Sequence, residues 1–482
     1  HSVHLLLLCI TLTHHVSQGE VKKMDILIKN GIIVTACDIY KADIGIKGEK
    51  IVLIGKNLPE GNGRVINAEG KYIFPGGIDV HTHFQLPMAG TVSSDDFENG
   101  TKAAAMGGIT TVIDFANQLK GQPILEGIEA RRAEADGKVC IDYSLHLCII
   151  DWNDRTKKEL KEVIEYGIPS FKMFMIYKNR GLMSDDASLF SALESTLETG
   201  AIIAVHAESS TVLDMLVDRY EKEKDKYGVY AHVMSRPNFI EEEAILRAIK
   251  WAEVTGGRLY IVHMSTGEGA DAVCNAKDKG VNVFAETCPQ YLLLDDEVFM
   301  RENGHWYATC PQIKKKKDSL RLWKGLSGGE IQIIATDTCT FTTEQKSLWN
   351  GDFTKIPYGL PGVETMVPLM YSEGVGKGRF SLNHLVSIVS TNPAKLFGLY
   401  PEKGTIATGS DADLVIYDPN KEVMIHPENL QTNCDWSPYE GMCLKGYPET
   451  TICRGKIIVE KNKFVGTPGY GKFLRRKTGG KI

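Results

Sequence analysis

The stretch "FPGGIDVHTHF", residues 74–84, sets His81 and His83 one residue apart at the end of an apolar run, with Asp79 just before them. In a β-strand, residues i and i+2 point to the same face. Both imidazoles would therefore leave one side of a segment whose Ile73, Phe74, Ile78 and Val80 read as buried. Histidines at that spacing suit a single metal ion, whereas a bland polar strand end would be satisfied by its neighbours. The remaining candidates decide between these readings. Lys172 lies in "SFKMFMIYK", His206 ends "AIIAVH", His263 ends "LYIVH" and Asp337 follows "IQIIAT". One terminal histidine is an ordinary polar residue; four of them with a carboxylate, each closing an apolar run, are a ligand set. Four imidazoles and one carboxylate serve two ions only if another group bridges them. Lys172 sits among Phe171, Met173, Phe174 and Met175, where an ammonium ion would be badly desolvated. A neutral lysine amine can take up carbon dioxide and become a carbamate, an anionic bidentate ligand.

The elements that must position these residues follow from the pattern of the chain. Eight apolar, β-branched runs occur at 73–84, 110–115, 142–150, 170–177, 201–207, 259–264, 282–286 and 331–336. Amphipathic stretches such as "DDASLFSALESTLETG" and "IEEEAILRAIKWAEVTG" lie between them, and their terminal Gly is a helix stop. Eight strands alternating with helices predict an α/β fold, a (β/α)8 TIM-like barrel whose active site gathers at the C-terminal strand ends. A doubly wound sheet is the rival, but no GxGxxG loop follows the first strand. Short alternating strands at both chain ends ("DILIKNGIIV", "GTIATGSDADLVIYDP") predict one small β-sandwich assembled from residues 24–72 and 400–470. The barrel then spans 73–399, and 471–482 form a C-terminal tail. Residues 1–23 have a short apolar core without a preceding Lys or Arg, and "MDILIKNGIIV" reads as a natural beginning. The expectation is that they are translated upstream sequence; intact mass from the native host would test it.

Composition bounds the function. A chain of 482 residues with 43% hydrophobic and 24% charged residues describes a globular protein large enough for a barrel and a companion domain. Its net charge of −6 argues against non-specific nucleic-acid binding, and the apolar run near the start is too short to span a bilayer. Eleven scattered cysteines, without a CxxC pair, suit free thiols in a reducing, cytoplasmic compartment. His146 and His232 fit no ligand set. Lys314–Lys317 reads as a solvated face, and Cys339 as a rim thiol without a paired base.

The order HxH, Lys, His, His, Asp on successive strands resembles the binuclear amidohydrolase superfamily. The wording "PGGIDVHTHF", "FKMFMIYK", "HAES", "ETCPQYL", "KIPYGLPGVE" and "STNPAKLFGL" resembles its dihydropyrimidinase and hydantoinase members from Met24 to about residue 470. The resemblance implies a hydrolase that opens a cyclic ureide, with one zinc on His81, His83 and Asp337 and a second on His206 and His263. A carboxylated Lys172 and a hydroxide would bridge the two ions. It implies Asp337 as general base, Tyr177 as donor to the oxyanion, and Cys288 and Tyr358 as holders of the ring's amide edge, largely through main-chain groups. A homotetramer is implied in the same way. Two positions depart from the pattern: Thr338 stands where many relatives have His, and Tyr358 where hydantoinases often have Asn. The loop "QLPMAGTVSSDD" offers Leu86, Pro87, Met88, Ala89 and Val92 and no arginine, which favours uncharged or hydrophobic substituents over dihydroorotate. Allantoinase and dihydroorotase are the enzymatic alternatives. Non-enzymatic assembly relatives lack the ligands that are filled here.

Overall fold

The computed structural model describes residues 24–482, so the expectation for residues 1–23 lies outside the described residues. Eight parallel strands form the central sheet in sequential order: β1 (Gly77–Thr82), β2 (Ile109–Asn117), β3 (Asp142–Cys148), β4 (Ser170–Phe174), β5 (Ile202–His206), β6 (Leu259–Ile261), β7 (Val283–Thr287) and β8 (Ile333–Ile334). A parallel bridge between Thr82 and Thr338, with the His83 N–H donating to the Thr338 carbonyl at 2.9 Å, closes the sheet on itself. Asp79 reinforces that seam. Its carboxylate accepts from the Thr336 hydroxyl at 2.5 Å, the Thr336 N–H at 3.1 Å and the His81 N–H at 3.2 Å. Burial pushes this carboxyl up to about 7 even with those three donors. Asp79 is thus the staple that fixes where β1 ends.

The helices form where caps and periodicity ask for them. Asp185 accepts from the Ser188 N–H at 2.7 Å to start Asp186–Thr199, and Gly200 ends it in the left-handed region. Phe239–Thr255 buries Ala244, Ile245, Ala248, Ile249 and Ala252, a stripe at helical spacing, and stops at Gly256.

Both chain ends build the small domain. Its seven-stranded sheet pairs Leu414–Met424 with Tyr72–Pro75, and a four-stranded sheet carries Ile26–Lys29, Asp43–Lys47, Lys50–Gly55 and Arg64–Asn67. Ile26, Ile28, Ile44 and Ile46 meet Ile33, Ile73, Leu414 and Ile416 in the core between the sheets. A buried ionic knot ties this domain to the barrel. Lys403 lies 2.9 Å from Asp142 and 2.5 Å from Asp413, and Arg454 reaches both Asp142 oxygens at 2.9 Å. Removing one partner of such a buried group costs roughly 3–5 kcal/mol.

Three expectations about boundaries need correction. The single run expected over 73–84 is two elements: Tyr72–Pro75 belongs to the sandwich, and β1 begins at Gly77. The chain changes sheets at Gly76, where a Cβ would sit 2.0 Å from Thr110 Oγ1. Residues 425–442 leave the sandwich and lie against the barrel loops, with the Trp436 indole N–H donating to the Phe341 carbonyl at 2.9 Å and Thr432 bonded to Asp95 at 2.7 Å. The segment 471–482 is a docked strap. Its Leu474 N–H donates to Tyr143, and Arg476 is buried against Ser144 and Ser170 at 2.8 Å. Lys314 was also expected in solvent; it is buried, donating to the Arg236 carbonyl at 3.0 Å, while Lys315–Lys317 are exposed.

Candidate metal and active site

His81 stands in β1 and His83 just beyond it, so the strand's alternation delivers both rings to the barrel mouth. Asp337 Oδ1 lies 3.1 Å from the Nε2 atoms of both His81 and His83. One ligand atom from each of these three residues falls within 4.8 Å of the others. Lys172 Nζ, from β4, is 3.1 Å from His81 Nε2 and 4.4 Å from the centre of the Phe115 ring. It is buried, and among the described residues no carboxylate pairs with it. The ring of His263 lies 4.5 Å from that of His206 and 5.3 Å from that of His81. All six sequence-derived ligand candidates therefore converge on one floor.

The electrostatics favour cation binding. Burial holds the imidazoles of His83, His206 and His263 below their usual value, keeping lone pairs free. Nδ1 of His263 is buried without a hydrogen-bond partner, so the protein itself leaves this ring nitrogen unsatisfied. His81 behaves otherwise: burial and Lys172 press its value down, but Glu286 and Asp337 outweigh them and raise it. Burial would push the Asp337 carboxyl up, yet the adjoining histidines hold it well below the usual carboxylate range. Neutral imidazoles at His83, His206 and His263, with His81 and an ionised Asp337 beside them, fit divalent ions, and these His and Asp residues are metal-binding groups.

Three site residues adopt left-handed backbone without being glycine: Tyr177 (φ 67°), His263 (φ 37°) and Asp337 (φ 52°). Each such conformation costs about 1–3 kcal/mol, so the surrounding packing imposes their direction. The Tyr177 ring sits 5.5 Å from the His206 ring. Burial, and then the neighbouring Cys310, push its phenol well above the usual value, which keeps the proton on oxygen.

A cavity of about 930 Å3 opens over this floor, lined by His83, Lys172, His206, His263 and Asp337, with Tyr177 and Tyr358 on its walls. Its size suits a small ligand with a bulky substituent. Leu86, Pro87, Met88 and Ala89 line it as the sequence suggested, whereas Val92 is exposed away from it. Tyr358 is buried, its ring 4.9 Å from that of His232. Cys288 is wholly buried outside the cavity lining, and its carbonyl accepts from the Tyr291 N–H at 3.1 Å. Cys339 is buried and lines the cavity. His146 is spent on Ser170 and the Val80 carbonyl, and His232 on the Thr309 carbonyl.

Sequence reasoning missed four residues. Glu286, on β7, takes the His81 ring Nδ1, the Tyr260 hydroxyl at 2.6 Å and the His263 N–H at 3.0 Å. A fully buried glutamate ending the apolar "VFAE" was its signal. Glu208 bonds His206 Nε2 at 2.7 Å; burial opposes its ionisation, but His206, Arg236 and Lys314 hold it down to about 2. Its signal was its place two residues after His206. Lys346 is fully buried and donates to the Pro357 carbonyl at 2.7 Å and the Gly359 carbonyl at 2.8 Å, pinning the turn that carries Tyr358. Gly359 there has φ 144°, and a Cβ would lie 2.3 Å from the Cys339 carbonyl oxygen. Arg180 lines the cavity from the loop after β4, an arginine additional to the first-strand loop, which carries none.

Comparison with known proteins agrees with this geometry. The amidohydrolase family profile matches residues 72–458, and that of the urease alpha-subunit N-terminal domain matches residues 10–74. A D-hydantoinase from Geobacillus stearothermophilus is 47% identical over 454 residues, covering 93% of this chain and 96% of that protein. A crystal structure of a D-hydantoinase superposes with a TM-score of 0.93 at 46% identity, covering 94% of this chain and 99% of the other. The dihydropyrimidinase from Brevibacillus agri NCHU1002 gives a TM-score of 0.93 at 43% identity, covering 95% and 99% of the two chains. With the HxH, Lys, His, His and Asp floor filled at every position, the chain belongs to the amidohydrolase family, in its D-hydantoinase and dihydropyrimidinase branch.

Proposed function

We propose that this chain hydrolyses the ring amide of dihydropyrimidines and 5-substituted hydantoins, yielding N-carbamoyl amino acids. The observation that carries the reading is the shared floor of His81, His83 and Asp337 beside Lys172, His206 and His263, in a chain whose relatives are D-hydantoinases along nearly their whole length. His81, His83 and Asp337 would hold one divalent ion, and His206 and His263 a second, with carboxylated Lys172 bridging them. Zinc suits this nitrogen-rich set. When bound, the ions would polarise the scissile carbonyl and lower the pKa of a water between them.

The chain's own residues supply the rest. Asp337, held ionised by its histidine neighbours, takes the proton of the attacking water and passes it to the departing ring nitrogen. The C–O bond forms first to give a tetrahedral oxyanion; its collapse breaks the C–N bond, and the proton passed on by Asp337 completes the ureido N–H of a single ring-opened product that carries the new carboxylate. Tyr177, held protonated and with its ring tilted against that of His206, donates to the oxyanion as it develops. Main-chain groups at Tyr358 would hold the ring's amide edge, and Lys346 fixes that turn, whereas Cys288, buried outside the cavity with its carbonyl taken by Tyr291, is set aside from this role. Leu86, Pro87, Met88 and Ala89 would cover the substituent, with Tyr358 as an aromatic wall. An aromatic substituent buried there gains about 1–3 kcal/mol. Assembly as a homotetramer rests on the family resemblance, and sedimentation would read it; the ten described cysteines, all free, support a reducing cytoplasmic setting.

The test is a turnover panel of dihydrouracil, hydantoin, 5-phenylhydantoin, allantoin and dihydroorotate, with zinc and bicarbonate supplied. The expected result is opening of the first three, the phenyl compound at least as well as dihydrouracil, and poor turnover of dihydroorotate. A clear preference for dihydroorotate or allantoin would overturn the reading.

A further inference from the structure

Arg180 is a cavity-lining cation whose charge neither metal binding nor ring opening uses. It ends the single turn Lys178–Arg180 that follows Tyr177, its N–H donating to the Tyr177 carbonyl at 3.0 Å. Its guanidinium carbon lies 5.1 Å from the centre of the Tyr177 ring, and that ring lies 5.5 Å from His206. The guanidinium therefore stands against the ring of the proposed oxyanion donor, on the wall of the same cavity. Among the described residues, no carboxylate lies within 4.0 Å of it. The other cation at the mouth, Lys355, is already tied to Asp352 at 3.0 Å. Asp337 is the only carboxylate among the described residues lining the cavity, and it is committed to the histidines at the floor. Arg180 is exposed at the mouth of the cavity, and an unpaired guanidinium on that wall, with no competing anion beside it, can receive an anionic group that reaches out from the floor.

We propose that Arg180 makes the cavity prefer hydantoins whose 5-substituent ends in a carboxylate, bound by the guanidinium while the ring lies on the metal floor. This deepens the cyclic-amidase reading and rests on it. A flexible two-methylene linker lets the carboxylate move away from the ring toward the Arg180 wall. Dihydroorotate, with its carboxylate fixed on the ring itself, lacks that freedom. The apolar loop at Leu86–Ala89 covers the methylenes, and the charge meets Arg180 beyond it.

The experiment compares kcat/KM of the metal-loaded enzyme for 5-(2-carboxyethyl)hydantoin and its uncharged isostere 5-(2-carbamoylethyl)hydantoin, with 5-phenylhydantoin as a third substrate. The wild-type chain should favour the carboxylate over the amide. Arg180→Gln should lower that ratio by roughly 5- to 20-fold, mainly through KM, and Arg180→Glu should invert it. The ratio is independent of any general loss of activity, so a partly impaired variant still gives an answer. Equal turnover of carboxylate and amide by the wild-type chain would overturn the proposal. So would a ratio that survives in Arg180→Gln, as expected if the residue merely supports the Tyr177 ring. If the wild-type chain opens none of the three hydantoins, the cyclic-amidase reading itself fails and takes this proposal with it.

Discussion

Glu286→Gln separates orientation of a metal ligand from the metal ligands themselves. The carboxylate receives three donors: the His81 ring nitrogen, the Tyr260 hydroxyl at 2.6 Å and the His263 N–H at 3.0 Å. Alanine at this position would strand three buried donors at about 1–3 kcal/mol each and endanger the fold. Glutamine keeps one oxygen for His81 and His263. Its amide N–H2 faces Tyr260, whose hydroxyl can rotate to accept. What disappears is the negative charge that makes His81 a stronger ligand. Partners of this kind are worth roughly 10–100-fold in metal affinity, or about 1.4–2.7 kcal/mol. Competition against a chromophoric chelator, with thermal unfolding in parallel, reads both quantities. The expected outcome is weaker binding at the His81 site with a nearly unchanged melting temperature. Unaltered affinity in Glu286→Gln, or a loss of stability with no loss of affinity, would refute the reasoning.

Other outcomes follow from the same geometry. Tyr177→Phe should keep its metals while kcat/KM falls roughly 10²–10³-fold, the cost of one oxyanion donor; unchanged kinetics would return the phenol to a packing role. Lys346→Met removes the ammonium shared by the Pro357 and Gly359 carbonyls, so KM should rise more than kcat falls; steady-state kinetics showing only a kcat loss would contradict that. Glu364 accepts from the Gln431 N–H at 2.7 Å, and burial pushes its carboxyl up to about 8. Between the ordinary carboxylate value and 8, the folded chain keeps a proton that the unfolded chain gives up. Stability from this group therefore falls as pH rises through that window, by up to about 1.4 kcal/mol per unit. Glu364→Gln, which keeps the neutral shape, should flatten that slope in denaturant titrations; an identical slope would sink the assignment.

The barrel and its ligands were legible because strand ends and chemistry coincide: His81, His206 and Asp337 each close an apolar run that the fold turns into a strand end. What stayed hidden depends on distance in the sequence. The bond between Glu286 and His81 joins residues 205 positions apart, and Lys346 acts on carbonyls that carry no sequence signature. Gly76 splits a run that hydrophobicity alone leaves continuous, because the change of sheet is imposed by the close approach of Thr110. Arg180 escaped because the loop after the first strand was read as the substituent pocket, whereas the loop after β4 closes its far side.

The binuclear centre is tested most directly by titrating metal-free protein with zinc in bicarbonate buffer while following hydantoin ring opening. The wild-type chain should gain activity until two ions per chain are bound. Lys172→Ala should lose one or both ions and nearly all turnover, with part restored by a short carboxylic acid that replaces the bridge. Full activity at one ion per chain, or normal metal content and rate in Lys172→Ala, would contradict a lysine-bridged pair of ions as the hydrolytic site.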